Sequence, residues 1–312
     1  MNAKMRGGKT VPETDISQLA RERGFAATYI LDASFAPDVP EGVLTLLLML
    51  YPYDSWGEAA PGCARISTYY FAAQDAYLKA KDMIHRLNQM GEGAQLCNEV
   101  RLKPLLSRLK DFTQGRNTLH YHKEYGSRFH MQVIGISARL PMDEHVLRSK
   151  EEKPDMCSSC KICIQACPAK ALSDAGFHRD RCLRQHMLRA VPVPEHLRAL
   201  MGNRLVGCDT CQQVCPYNAQ LPEGEAVGES FSLDGLLKQE AGTLAHLSER
   251  IGRNMASPNR ICAQACIVAG NSKVEKYLPI LNDLCNHPSP TVAEHAKWAV
   301  KNLSIESKGA TS

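Results

Sequence analysis

Four closely spaced cysteines followed by a proline are the residues of this chain best suited to chemistry. The segment CSSCKICIQACP places Cys157, Cys160, Cys163 and Cys167 ahead of Pro168. This C-x2-C-x2-C-x3-C-P spacing wraps a short loop around an iron–sulfur cubane, with three thiolates on one cluster and the fourth on a second cluster. The sequence therefore predicts further cysteine ligands elsewhere in the chain.

A second cysteine group further along the chain supplies most of those ligands. The segment GCDTCQQVCPYN contains Cys208, Cys211 and Cys215, but it lacks the first cysteine of a full second run. Cys182, in the segment DRCLRQ, is the nearest unassigned thiol. We predict two [4Fe-4S] clusters with the following ligands: Cys157, Cys160, Cys163 and Cys215 for the first, and Cys167, Cys182, Cys208 and Cys211 for the second.

A zinc site is the alternative use of these cysteines. The C-x2-C pairs within the two groups are of the kind that forms a tetrahedral site of four thiolates. Zinc would leave the other four cysteines and both Cys-Pro pairs unexplained, so the clusters are favoured. Five cysteines outside the pattern are interpreted as structural: Cys63, Cys97, Cys262, Cys266 and Cys285.

Composition bears on the redox environment of these thiols. The chain begins MNAKMRGGKT without an apolar signal region, so we expect a cytoplasmic location, where thiols stay reduced and metal ligation is favoured over disulfides. The longest apolar run, GVLTLLLMLY, is too short to cross a bilayer, so no membrane segment is expected. The net charge of +4 permits a nucleic-acid partner without requiring one.

The elements around the cysteines predict an α+β protein in three zones. The first, residues 1–150, alternates helical and buried-strand patterns: a helix at TDISQLARERG with Thr14 as N-cap, strands at FAATYILD and GVLTLLLMLY, a helix at STYYFAAQDAYLKAKDMIHRLNQMG, a helix near RLKPLLSRLKDF and a strand near FHMQVIGISARL. Residues 151–225 form the cluster zone, entered through the charged linker RSKEEKPD. Residues 226–312 are all-helical, with helices near 258–269, 274–286 and 290–303.

The order of three segments resembles the epoxyqueuosine reductase family. Residues 180–218, with a lone upstream cysteine and the segment GNRLVGCDTCQ, resemble that family's second-cluster region. The segment GRNTLHYHKEYGSRFHMQVIG at 115–135 is similar to part of its corrinoid-binding domain, and residues 260–300 resemble its C-terminal HEAT-like helices. The cluster motif is shared with many ferredoxins, whereas the order of all three segments is specific.

The resemblance implies a function and a set of cofactors. Family members bind cobalamin in the N-terminal domain, pass electrons from two clusters to cobalt, and remove an epoxide oxygen from epoxyqueuosine in tRNA. An external electron donor of ferredoxin or flavodoxin type and a tRNA partner are then expected, with a ferredoxin-like double-cluster domain in the middle of the chain. The residues expected at the corrinoid are Gly115, Arg116, Asn117, Tyr125, Gly126 and Ser127. For the last three, a plain turn is the alternative interpretation.

The chain departs from the family where the substrate pocket would be shaped. The acid expected ahead of Pro104 is replaced by Arg101, and Glu99 is the nearest acidic residue and our candidate catalytic acid. A glutamate that simply begins a helix, where it favours the helix dipole, is the alternative reading. Arg116 replaces the family's lysine, and LRQHMLRA follows Cys182 in place of a Ser-Tyr-Leu-Thr stretch. A paralogue with another substrate is therefore included among the hypotheses.

Two further functions remain open: a ferredoxin-like electron carrier without a corrinoid, and a corrinoid reductase or reactivating partner of another enzyme. The tail cations Arg250, Arg253, Arg260 and Lys276 either contact RNA phosphates or form a solvated helical face. The histidines His120, His122 and His130 are interpreted as surface or strand-alternating residues rather than metal ligands.

Overall fold

The computed structural model describes residues 13–55, 57–142, 146–148, 157, 159–222, 224 and 229–309. The described residues form two compact units. The first comprises residues up to 53, 72–115 and 119–157, and the second comprises 54–71, 116–118 and 159–309. The cluster zone and the C-terminal helices thus share one unit, and the boundaries predicted at 150 and 225 stay a prediction.

The helices and strands are numbered in chain order. The helices are α1 Glu13–Glu22, α2 Thr68–Gln89, α3 Leu102–Leu106, α4 Ile162–Ala166, α5 Leu183–Met187, α6 Glu195–Arg198, α7 Thr210–Gln213, α8 Leu233–Leu237, α9 Ala241–Ile251, α10 Pro258–Asn271, α11 Leu278–Leu284 and α12 Pro290–Gly309. The strands are β1 Ala27–Asp32, β2 Thr45–Pro52, β3 Cys63–Ile66, β4 Ala94–Leu96, β5 Phe112–Gln114, β6 His120–His122, β7 Phe129–Ile136, β8 Leu172–Ser173, β9 Gly176–Phe177, β10 Arg204–Val206 and β11 Phe231–Ser232.

The first unit is built on a four-stranded sheet in the order β1-β2-β7-β4, in which every pairing is antiparallel. The apolar run of β2 is buried on both sides of the sheet, as alternate side chains of a strand point to opposite faces. Leu47 and Met49 pack with α1 and α2 on one face. Leu46 and Leu48 pack on the other face with residues of α3 and β5, among them Phe112.

Most of the predicted elements of this unit are confirmed, with two corrections. The helix α1 already includes Glu13, so Thr14 is a helical residue and not its N-cap. The helix predicted near RLKPLLSRLKDF is the five-residue α3. The sequence made no prediction of strand direction, and the strands pair antiparallel. The charged linker lies almost entirely outside the described residues.

The second unit joins a small sheet to the C-terminal helices through one apolar core. Strand β3 lies between β10, which is parallel to it, and β11, which is antiparallel. Ile66, Leu205 and Phe231 of these strands share a core with residues of α8, α10 and α12. The three predicted C-terminal helices are present as α10, α11 and α12, whereas α8 and α9 were not predicted. No helix among the described residues is long and apolar enough to span a membrane.

Candidate iron–sulfur site

A glycine directs the chain from β10 into the second cysteine group. Gly207 has a φ of +86°, and a Cβ atom there would lie 2.6 Å from Tyr70 Cε2 and 2.7 Å from Ser67 Cβ. Any other residue would be strained in this conformation and would collide with both neighbours. Ser67 also donates its amide to the Val206 carbonyl at 2.9 Å. These contacts fix the position at which Cys208 leaves the sheet.

The four predicted second-cluster ligands and Cys163, a predicted ligand of the first cluster, influence one another electrostatically. Burial and the neighbouring thiols of Cys208, Cys163, Cys182 and Cys167 raise the pKa of Cys211 to about 12. Burial, with Cys208 and Cys167 as further causes, also raises the pKa of Cys182. Thiols gathered in this way resist ionisation without a cation, and iron supplies the positive charge that keeps ligating thiols deprotonated. The donor set therefore fits an iron–sulfur cluster.

Main-chain donors point at the same sulfurs. The amides of Arg184 and Gln185 donate to Cys182 at the start of α5. The Ala171 amide donates to Cys167 Sγ at 3.2 Å. Hydrogen bonds of this kind favour the thiolate over the thiol and tune the reduction potential of a bound cluster. The short helix α5 thus carries one ligand and its donors, which supports the selection of Cys182.

The first-cluster ligands are described in less detail. Cys160, Cys163 and Cys215 are all half-buried, and Cys163 lies in α4. Cys157 is half-buried as well and falls among the residues of the first unit. In the described part of the chain, no three histidine, cysteine or acidic side chains are arranged to hold a single metal ion. The division of the eight cysteines between two clusters stays a prediction.

The first predicted corrinoid segment forms the loop between β5 and β6. The buried Gly115 donates its amide to the Leu119 carbonyl at 2.8 Å, and Thr118 has a φ of +63°. Arg116 Nη1 lies 3.5 Å from Asp174, which also accepts from Lys161 Nζ at 2.8 Å. Arg116 is therefore engaged by a carboxylate close in sequence to the first cysteine run.

The second predicted corrinoid segment is a turn after β6. Gly126 has a φ of +51° and accepts the His122 amide at 2.7 Å, while the Tyr125 ring stacks on the His122 ring at 5.1 Å. Ser127 is buried, as Asn117 is in the other segment. These contacts give Gly115, Arg116, Tyr125 and Gly126 local structural roles, and none of the contacts described here forms a cradle for a corrinoid. We derive no reaction step through that cofactor.

Buried and half-buried polar groups lie beside this turn, among them Tyr29 and Asp111, which the sequence did not single out. Tyr29 Oη is 2.9 Å from His122 Nε2 and donates to Asp111 Oδ2 at 3.1 Å, and Lys123 pairs with Asp111 at 2.8 Å. Burial lowers the pKa of His122 and, with Asp111, raises that of Tyr29. His120 is also buried, 2.9 Å from Ser107 Oγ. His120 and His122 occupy alternating positions of β6, which agrees with the strand-alternating interpretation, and both are buried, which excludes the surface interpretation for these two residues.

Glu99 lies in a turn and is exposed. The helix α3 begins at Leu102 with Arg101 as its N-cap, so Glu99 does not belong to its first turn. The alternative reading of Glu99 as a helix-start residue is therefore wrong. Its neighbour Cys97 is buried against Gly135, whose amide it contacts, and burial raises the pKa of this thiol. Cys97 is accordingly structural, and the role of Glu99 stays a prediction.

The tail cations differ in how they are neutralised. Arg250 pairs with Glu229 at 2.7 Å and Lys276 pairs with Asp234 at 2.9 Å. Arg253 is exposed, and Arg260 is half-buried with a hydrogen bond from Nη2 to the Asn254 carbonyl at 2.6 Å. These residues therefore do not form one uniform solvated face.

The cysteine arrangement and a comparison with protein families together indicate the class of the cysteine-rich domain. Residues 156–218 match the family described as a 4Fe-4S double cluster binding domain. This match covers all eight predicted ligands, so residues 156–218 are similar to a double-cluster iron–sulfur domain of this class.

Sequence relatives then identify the group of proteins that the chain resembles. It is 31% identical over 208 residues to an epoxyqueuosine reductase of Alicycliphilus denitrificans, covering 60% of this chain and 55% of that protein. A Bacillus subtilis epoxyqueuosine reductase is 25% identical over 294 residues, covering 91% of this chain and 72% of that protein. The resemblance predicted from the sequence is confirmed. The chain spans about half the length of several relatives it matches, including 51% of a Listeria monocytogenes epoxyqueuosine reductase.

Solved structures share the fold. An epoxyqueuosine reductase from Streptococcus thermophilus superposes with a TM-score of 0.74, covering 94% of this chain and 90% of that chain at 17% identity. An epoxyqueuosine reductase solved with an epoxyqueuosine-modified tRNA stem loop superposes with a TM-score of 0.73, covering 93% and 90% at 18% identity. The mixed α and β architecture is therefore that of these enzymes.

Proposed function

We propose that this chain is an iron–sulfur reductase of the epoxyqueuosine reductase type, which removes the epoxide oxygen from a queuosine precursor in tRNA. The observation that carries the proposal is the sequence similarity to the Bacillus subtilis relative, which covers 91% of this chain and so reaches far beyond the cluster domain. A plain ferredoxin-like carrier would be expected to match through its cluster domain alone. The structure solved with a tRNA stem loop supports tRNA as the partner.

The proposed reaction consumes electrons that side chains cannot supply. Converting an epoxide to an alkene takes up two electrons and two protons and releases water. Two [4Fe-4S] clusters, held by the eight cysteines, would pass electrons from an external donor of ferredoxin or flavodoxin type. Glu99 is the proposed proton donor to the departing oxygen.

The proposal includes a corrinoid, which the family resemblance implies. When bound, this cofactor would supply a low-potential cobalt nucleophile of a kind that protein side chains cannot provide. Its expected location is the N-terminal domain predicted at residues 1–150, near the two segments at 115–117 and 125–127. We also propose a cytoplasmic location and a HEAT-like arrangement of the C-terminal helices.

A second candidate is a paralogue that acts on another substrate. Arg101 stands at the N-cap of α3, where the family resemblance leads us to expect an acid, and Arg184 follows Cys182 in place of a serine-containing stretch. Both changes add a guanidinium close to proposed functional residues. A different substrate with the same cofactors would be compatible with these substitutions.

Complementation tests the proposed function directly. The chain is expressed in a bacterial strain that lacks epoxyqueuosine reductase, and the nucleosides of its tRNA are measured. We expect queuosine to appear with the parent chain and not with Cys208→Ala. If only epoxyqueuosine accumulates with a cluster-replete parent chain, the substrate assignment is wrong. Visible spectra of anaerobic protein with and without added cobalamin then separate a corrinoid enzyme from an electron carrier.

A further inference from the structure

Two arginines of the second unit interact with one tyrosine beside the second cysteine group, Arg184 through a hydrogen bond and Arg260 electrostatically. Arg184 Nε donates to Tyr70 Oη at 3.1 Å. Its guanidinium carbon lies 5.2 Å from the centroid of the Tyr69 ring and 5.7 Å from that of Tyr70. The two rings meet edge to face at 5.3 Å. Arg184 is thereby held over an aromatic surface while remaining exposed.

Arg260 is the second cation at this tyrosine. It is half-buried at the first turn of α10, and it interacts electrostatically with the Tyr70 hydroxyl. Burial lowers the pKa of Arg260, an effect that Tyr70 opposes only in part. A guanidinium drawn partly out of water without an anion is unfavourable, and an anion bound there would relieve that cost.

Within the described residues, neither arginine forms an ion pair with a carboxylate, in contrast to other cations of the same unit. Arg65 pairs with Asp209, Arg250 with Glu229, and Lys276 with Asp234. The contacts of Arg184 and Arg260 are instead to tyrosines and to a main-chain carbonyl. Tyrosines and the Cys182 thiol, rather than a carboxylate, are the electrostatic neighbours of these two guanidiniums, so the pair favours a bound anion.

We propose that Arg184, Arg260 and Tyr69 bind a phosphate group of the RNA backbone. Guanidinium groups match the geometry of phosphate oxygens and form charge-assisted hydrogen bonds with them. The half-exposed Tyr69 adds a ring on which a base can stack, which favours nucleic acid over an acidic protein. The inference rests on the proposed function, because RNA is the partner in that function.

The location gives this site a role in placing the substrate. The Arg184 guanidinium interacts electrostatically with the Cys182 sulfur, so a phosphate at Arg184 would lie near the second cluster. Arg184 belongs to the segment LRQHMLRA, one of the points at which this chain departs from the family pattern. The contact would therefore be a feature of this chain.

RNA binding to the cluster-replete full chain tests the site. A fluorescent anticodon stem-loop RNA is titrated by anisotropy over a range of salt concentrations, using the parent, Arg184→Gln, Arg260→Gln and, as control, Lys276→Gln. We expect each arginine variant to bind about tenfold more weakly and to lower the salt slope by about 1, as for the loss of one phosphate contact. Lys276→Gln should bind like the parent, because Asp234 already neutralises this lysine.

Two measurements exclude a purely structural effect. Iron content and thermal melting should be the same in all four proteins, and Arg184→Lys should recover most of the salt slope, since it keeps the charge. Equal RNA binding by the parent and both arginine variants would overturn the proposal. The proposal would also be overturned if the parent did not bind RNA, or if Arg184→Lys lost as much RNA binding as Arg184→Gln.

Further outcomes of these experiments distinguish RNA from other anions, and distinguish a failure of this proposal from a failure of the proposed function. The RNA proposal is wrong if the arginine variants bind RNA like the parent and lose only the stabilisation that inorganic phosphate gives the parent. It is also wrong if they lose only the binding of an acidic electron-transfer protein. If the parent binds RNA through both arginines but forms no queuosine, the proposed function fails while the phosphate site stands.

Discussion

Arg65 and Asp209 form a bidentate pair inside the second unit. Arg65 Nη1 donates to Asp209 Oδ1 at 3.0 Å and Nη2 donates to Oδ2 at 2.8 Å, with side chains that are 10% and 8% exposed. Asp209 stands between Cys208 and Cys211, and Arg65 lies in β3. The pair therefore fastens the loop that carries two predicted cluster ligands to the small sheet.

We expect Asp209→Ala to destabilise the fold and release the second cluster. A buried charge whose partner is removed costs about 3–5 kcal/mol in the free energy of unfolding. Anaerobic chemical denaturation and iron analysis measure both effects. The matched control is Asp38→Ala, whose exposed pair with Arg101 should contribute less than about 1 kcal/mol. Equal losses in the two variants would contradict the anchoring role of Asp209.

The assignment of Cys182 gives the next prediction. Cys182→Ala should leave the second cluster with three protein thiolates, so this cluster should be lost. The iron content of the protein should then fall from roughly eight to roughly four atoms per chain. The control is Cys63→Ala, which removes a half-buried thiol of β3 outside the predicted ligand set. A full complement of iron in Cys182→Ala would show that another residue completes the cluster.

Sequence patterns predicted those features that depend on local spacing. The strand β2 was recognisable as a short continuous apolar run, and the long helix α2 by its helical period. The cysteine groups were recognisable because cluster geometry dictates their spacing. The pairing of β3 with β10 had no such signal, since two short strands far apart in the chain carry no period that links them.

Parts of the candidate site depend on contacts that sequence spacing does not encode. Arg65 and Asp209 are 144 residues apart, and Arg184 and Tyr70 are 114 apart. The burial of His122 was missed because its partners, Tyr29 and Asp111, lie on other elements.

The variant Glu99→Gln tests an effect on turnover separately from an effect on the free energy of unfolding. As it is exposed and lies outside α3, Glu99→Gln should change the free energy of unfolding by at most about 0.5 kcal/mol. If Glu99 is the proton donor, turnover should fall by about 10²- to 10⁴-fold. Queuosine formation by purified protein gives the rate, and Glu41→Gln, at another exposed position, is the control. Turnover equal to that of the parent would remove Glu99 from the mechanism.

Because His295 is buried, we expect the free energy of unfolding to fall at mildly acidic pH. Its side chain is fully buried, with Nε2 accepting from the Val193 amide at 2.9 Å and Nδ1 lying 2.9 Å from the Ala263 carbonyl. Burial lowers the pKa of His295 to about 4, and burial with Lys103 lowers that of His120 to about 4. Both histidines are therefore neutral in the folded chain at pH values where an unfolded histidine is protonated.

The sign of the effect follows from proton binding. Below the unfolded histidine pKa of about 6.5, the unfolded chain binds more protons than the folded chain, so stability is lost as pH falls from about 6.5 towards 4. Each histidine should contribute a slope of about 1.4 kcal/mol per pH unit in this window. Anaerobic denaturation of the parent, His295→Gln and the exposed-site control His196→Gln measures the slopes. The His295 variant should have the shallower slope, because glutamine can hydrogen-bond but cannot take up a proton; a slope equal to that of the parent would mean that His295 is already protonated in the folded chain.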